Sequence, residues 1–180
     1  TTGGATDGTL SSPDAVAISG ELLLDIGTGN NATVTAAGTD VDSLRVDSAG
    51  DVSLDDDGGL DIAVSSVDGA LDIISTGAIT DSGQITVGGT ASFETRNDSD
   101  GAASITLDQG GAGTPVHTFG AMTLRTRNSG NTGNVNSNIT VYEDDATMLA
   151  QVDTAGTLEI ASTGSITDTG TLTTATADLS

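Results

Sequence analysis

Apolar and polar residues alternate along this chain in short bursts, each broken by glycine. Between residues 71 and 87, Leu71 and Ile73 alternate with polar neighbours, and Gly77 breaks the run. Ile79 starts another run, Gly83 breaks it, and Ile85 and Val87 resume. Alternation with period two, bounded by turn residues, is the pattern of short strands. The stretch also recurs. LDIISTGAITDSGQIT at 71–86 and LEIASTGSITDTGTLT at 158–173 share ten of sixteen positions at an offset of 87 residues. Internal repetition of strand-and-turn units points to stacked coils. No segment shows the 3.6-residue period with caps that a helix requires.

A second element sets the coil length. VDSAGDVSL (46–54) matches VDTAGTLEI (152–160), with a shorter form, VDGALDI, at 67–73; Val46 and Val67 are 21 residues apart. At about 3.3 Å per strand residue, three short strands and three turns fill roughly twenty residues. The predicted fold is all-β: a single-stranded parallel β-helix (β-solenoid) with about 20 residues per coil and about seven or eight coils. Residues 1–180 are expected to form one solenoid domain, a segment or subunit of a larger array. Leu71, Ile73, Ile79, Ile85, Leu158, Ile160, Ile166 and Leu172 are expected to point inward from equivalent coil positions. Gly20 and Gly120 each separate two predicted strands. DDDGGLD (55–61), RNDSDGAA (96–103), GGAGTP (110–115) and NSGNTGNVNSN (128–138) read as turns or loops,.

Composition agrees with a narrow aliphatic core. The hydrophobic fraction is 35%, with no Trp, one Tyr and two Phe. A globular core draws much of its burial from aromatics, whereas a stack of aliphatic side chains does not need them. There is no cysteine, so disulfides and thiolate metal sites are excluded,. No apolar run reaches membrane-spanning length. The net charge of −22 sets 26 acids against Arg45, Arg96, Arg125 and Arg127. Such a chain repels nucleic acid and anionic lipid, so neither is expected as a partner.

The run GAITDSGQITVGGTASF, continued after a polar turn by SITL, carries a resemblance. Residues 77–107 and 164–180 resemble the strand-repeat regions of filamentous haemagglutinin-type adhesins and related large secreted bacterial surface proteins. The resemblance implies a right-handed parallel β-helix, exported to the cell surface and serving as a stalk, adhesin or fibre. The chain starts at Thr rather than Met, which agrees with a processed product or a piece of something longer.

Candidate chemistry is sparse. His117, the one histidine, would be the general base of any catalytic site, yet it has no definable partner and reads as a half-exposed strand residue,. None of GxSxG, P-loop, GxGxxG or HExxH is present. Arg125 and Arg127 alternate and share one face, where acids of neighbouring coils would pair with them. Acids crowd three turns: Asp55, Asp56, Asp57 and Asp61; Glu143, Asp144 and Asp145; Asp98 and Asp100. Hard cations bind clustered carboxylates, so the first two groups are the candidate calcium ligands, with solvated acidic turns as the alternative. No cofactor is required. Asn31, Asn97 and Asn138 open N-glycosylation sequons,.

The sequence therefore points to a non-catalytic structural protein, extracellular and at the cell surface. Its partner would be a further copy or coil stacked end to end, with surface glycans as a second class of partner. The alternative is a glycan-binding or glycan-cleaving β-helix, which would need a groove containing Arg125, Arg127 and several Asp.

Overall fold

The computed structural model describes residues 9–109 and 116–180. The loop expected at 110–115 lies outside them. The described chain contains strands, turns and bends and no helix. Every pairing between named strands is parallel.

Eight strands form the first wall, one from each coil: β1 (Leu10–Ser12), β3 (Ala32–Val34), β5 (Val52–Asp56), β8 (Leu71–Ser75), β11 (Ala91–Arg96), β13 (Ala121–Arg127), β15 (Thr147–Asp153) and β17 (Ile166–Thr173). The second wall starts with two long strands, β2 (Ala17–Gly27) and β4 (Asp40–Ala49). It continues through β6 (Leu60–Ile62), β9 (Ile79–Asp81), β12 (Ile105–Leu107), β14 (Ile139–Glu143), β16 (Thr157–Ser162) and β18 (Thr176–Leu179). At β4 the sheet forks. Leu44 pairs with Ile62 of β6, while Ala49 pairs with Val67 of β7 (Ser65–Val67), which leads to β10 (Ile85–Val87). This third wall continues as single bridges, Thr86 to Thr118 and His117 to Glu143. Coils without insertions advance by about twenty residues, as expected: Ala32, Val52, Leu71 and Ala91 stand in one column.

Stacking at one strand spacing of about 4.8 Å puts like side chains on top of one another. Val34, Leu54, Ile73, Phe93, Leu124 and Val152 form one buried column, and Leu60, Ile79, Ile105, Ile139 and Leu158 form another. Phe93 and Phe119 widen the core at mid-rod and meet edge to face at 5.7 Å.

Two corner devices turn the chain. The first is a residue with a side-chain oxygen two positions before glycine. Asp56, Ser75, Thr154, Ser162 and Asp168 each accept the N–H of the glycine that follows, at 2.9–3.2 Å. Asp56, Ser75, Thr95, Thr126 and Thr154 line up as a buried polar column at the end of the first wall. Their hydroxyls also donate to carbonyls of the corner: Ser75 to Gly58, Thr95 to Ala103, Thr154 to Ser137. Backbone groups that leave the ladder are thus satisfied inside the rod. The second device is a stack of glycines. Gly69 donates to the Gly50 carbonyl and Gly89 to that of Gly69. A Cβ at Gly89 would lie 2.6 Å from the Gly69 carbonyl oxygen, so only glycine fits between the stacked corners,.

Several expectations need correction. Leu71, Ile73, Ile79, Ile85, Leu158 and Ile160 are buried, but Ile166 is half-buried and Leu172 is 36% exposed. Both lie in β17, on which no further coil packs. The two long repeats do not occupy equivalent positions. Leu71 is in the first wall and Leu158 in the second, stacked in the column of Ile79; Leu172 falls in the column of Ile73. The insertions between the copies shift the second copy by one wall. The partner of Val67 is Ala49 rather than Val46. Gly20, with φ of 140°, interrupts the register of one continuous strand rather than separating two.

Three substitutions test this packing. Ile79→Asp would bury an unpaired charge and is expected to cost more than about 4 kcal/mol. Gly89→Ala should cost about 1–3 kcal/mol through overpacking. Gly29→Ala, where an added Cβ meets nothing within 4 Å, should be close to neutral. Chemical denaturation followed by circular dichroism reads all three, and equal stability of the two glycine variants would refute the stacked-corner account.

Candidate functional site

The acidic turns open outward and inward by turns, as strand geometry dictates. Asp55 faces out from β5. Asp56 faces in, where its carboxylate accepts the N–H groups of Val41 at 2.8 Å and Gly58 at 3.0 Å. Burial raises the proton affinity of both carboxyls. Asp57 is exposed, and Asp61, on β6, accepts from Ser82 at 2.6 Å and Ser43 at 3.4 Å. Glu143 is fully buried, whereas Asp144 and Asp145 are exposed. Among the described residues no three His, Cys, Asp or Glu side chains converge into a group that could hold a metal ion. Asp98 and Asp100 instead tie the loop 97–104 to the loop 128–138: Asp98 accepts from the Ser129 N–H and hydroxyl, and Asp100 from the Asn136 N–H.

The sequon asparagines are structural. Asn31 exchanges hydrogen bonds with Asp51 in the next coil, Asn97 donates to the Thr76 carbonyl, and Asn138 accepts the Thr157 N–H.

Besides Asp56, three more ionisable groups sit inside the rod. Asp81 occupies an inward position directly above Ile62, where alternation along β9 leaves no choice of face,. His117, expected to be half exposed, is fully buried and stacks on Phe119. It is drawn in because its Nδ1 replaces a backbone acceptor: the Ile85 N–H donates to it at 3.1 Å. That bond places the ring proton of a neutral imidazole on Nε2, which faces Asp81 Oδ2 at 3.4 Å,. Glu143 does the same for the next coil, accepting the Phe119 N–H at 2.9 Å and the Thr147 hydroxyl at 2.6 Å. Burial pushes Glu143 up to about 7, against the pull of Thr147 and the Phe119 N–H; the neighbouring Asp145 adds to the rise. These side chains take over ladder positions where the chain re-enters after the insertion between β12 and β13. With His117 sealed from solvent, its visible role is to complete the ladder.

The outer face of the first wall carries a charge network. Glu94 is held by Arg96 on one oxygen and by Arg125 on the other, the latter at 2.7 Å. Arg125 and Arg127 both approach Asp153 of the following coil, at 3.7 and 3.6 Å. Arg127 also donates to the Asn131 and Asn134 side chains at 3.0 and 2.7 Å, pinning the loop 128–134 against the wall. Asn131 adopts the left-handed conformation, φ 53°, to make this clamp,. The pairing of Arg125 and Arg127 with an acid of the neighbouring coil follows the sequence expectation; the role of Glu94 does not.

These features define a class, the parallel β-solenoid with stacked polar corners. Within it, the chain belongs to the family described as repeats of unknown function (DUF5649), whose model matches residues 49–126 and 132–180. No curated protein and no solved structure matches the chain.

The buried carboxyl gives a pH dependence with a definite sign. Glu143 binds its proton more tightly folded, at about 7, than its ordinary value of 4.5. Between these values the native state holds more protons than the unfolded one, so stability falls as pH rises. The contribution is complete below about 4.5 and is lost as pH passes 7. Glu143→Gln mimics the protonated carboxyl. Its melting temperature should fall less steeply than the parent's as pH rises from 4.5 through 7,. Parallel pH profiles for the two proteins would rule out this assignment.

Proposed function

We propose that this chain is a structural segment of an extracellular, cell-surface fibre, sheath or adhesin stalk, extended by stacking coil upon coil. One observation carries the reading: each coil hydrogen-bonds to the next through parallel strands, so the rod extends along a single axis. β17 and β18 each hydrogen-bond on one side only, and Leu172 and Leu179, 36% and 45% exposed, present apolar surface along the rod axis. Unpaired strand edges of this kind are templates for pairing with a further strand. Head-to-tail stacking of such edges does not close and gives filaments. The resemblance to haemagglutinin-type repeats and the strongly acidic surface support an exported, rod-forming role. A non-catalytic role is supported by the burial of His117. The glycan-groove alternative loses its expected anchors, because Arg125 and Arg127 are tied to Glu94, Asp153, Asn131 and Asn134.

The purified chain should form linear polymers whose mass grows with concentration, seen by light scattering and negative-stain microscopy. Removing residues 171–180 should abolish growth while the central coils keep their strand signature in circular dichroism. A monodisperse monomer at high concentration would defeat the proposal.

A further inference from the structure

A small cavity of about 200 Å³ opens on the outer face of the first wall, across the second to fifth coils. The loop 35–39 forms one side. Asp55 and Asp57, at the end of β5, form another. Ile74 and Thr76 of the next coil lie at its floor, and Arg96 of the coil after closes it. Arg125 and Arg127 are absent from its lining, so this is not the groove that the sequence suggested.

The charged groups here are held and left open. Glu94 grips Arg96 through Nε alone, and Glu94 is itself fixed by Arg125. This leaves the two terminal guanidinium nitrogens of Arg96 without a hydrogen bond or ion pair among the described residues, on a side chain still 32% exposed. The Asp55 carboxylate, half-buried in the same cavity, also has no hydrogen bond among them. Arg96 and Asp55 feel each other's charge across the cavity, yet no ion pair closes between them. A donor fork and an acceptor thus face the same space without meeting. A pre-oriented guanidinium loses little freedom on binding, which favours recognition.

From this arrangement we infer that the cavity binds one neutral sugar unit, with vicinal hydroxyls bridging Arg96 to Asp55 and C–H groups resting on Ile74. The volume lies below the roughly 300–1,000 Å³ of drug-sized ligand sites and suits a single ring. The charges select against other classes. An anionic ligand meets a chain of net charge −22 and the adjacent Asp55, Asp57 and Glu94,. A divalent cation meets the Arg96 guanidinium in the same space. A neutral polyol supplies both the acceptor for Arg96 and the donor for Asp55. The inference does not depend on stacking, since the cavity lies on the side of the rod.

The test is a titration of the intact, ¹⁵N-labelled chain with glucose, galactose, mannose and N-acetylglucosamine, followed by amide chemical shifts. Glucuronate and calcium chloride serve as the charged probes. At least one neutral sugar should shift amides of 35–39, 55–57, 74–76 and 96 with millimolar affinity. Asp55→Asn and Arg96→Gln should each weaken binding at least about tenfold. If Arg96→Gln fails to fold because Glu94 loses a partner, Asp55→Asn, which breaks no contact, decides alone. The inference is overturned if no neutral sugar shifts these amides at up to about 50 mM, or if Asp55→Asn binds as the parent does. It is equally overturned if glucuronate or calcium binds there more tightly than every neutral sugar.

Discussion

Everything in this rod depends on the parallel hydrogen-bond ladder that joins each coil to the next at one strand spacing. The ladder fixes the vertical distance, and the distance decides which residues are tolerated. Where walls are straight, like side chains stack, and apolar columns result. Where the chain turns, backbone lies directly on backbone, and Gly50, Gly69 and Gly89 stand where a Cβ would collide with the coil below. The hydrophobic core is in this sense secondary. Its columns are aliphatic because the ladder leaves room for one side chain per coil at each inward position.

At one set of corners the ladder breaks, and side-chain oxygens repair it. The buried column from Asp56 through Ser75, Thr95 and Thr126 to Thr154 is such a repair. His117 and Glu143 extend the principle to a site where an insertion has displaced the strand itself, each accepting a backbone N–H. A buried polar group costs free energy unless paired. Here the pairing runs in both directions, because a ladder N–H left unmade would be as costly as the side chain's own desolvation.

Much of this architecture was readable in the residues. Alternation in LDI and TLEI gave the strands and most of the buried set, and the spacing of the recurring VD elements gave the coil length. The recurring oxygen-x-glycine triplets DDG, STG and TAG were also present, and they locate the corners once the accepting bond from residue to glycine is known. Other features were hidden for a physical reason. Asp81 and Glu143 look like surface acids, and nothing local shows that alternation has carried them inward. Their burial depends on partners in distant coils. His117 lies 32 residues from the Ile85 N–H it accepts, and the insertion that brings them together has no periodic signature. The charge network was half legible: the alternation of Arg125 and Arg127 put them on one face, but the coil-to-coil register that selects Glu94 and Asp153 as partners is not encoded locally.

The displacement of the second long repeat onto a different wall has a wider consequence. The same strand-and-turn sequence serves the first wall in one copy and the second wall in the other, so a unit is interchangeable around the cross-section. Gaining or losing a whole coil lengthens or shortens the rod and leaves its surfaces aligned. Gaining or losing a single strand-and-turn unit instead acts like an indexing step of a screw. Every surface feature beyond that point is carried around the axis to the adjoining wall, while the core columns beneath it stay filled. Insertions in such a repeat array therefore set the direction in which distant parts of the surface face, independently of how far along the rod they lie.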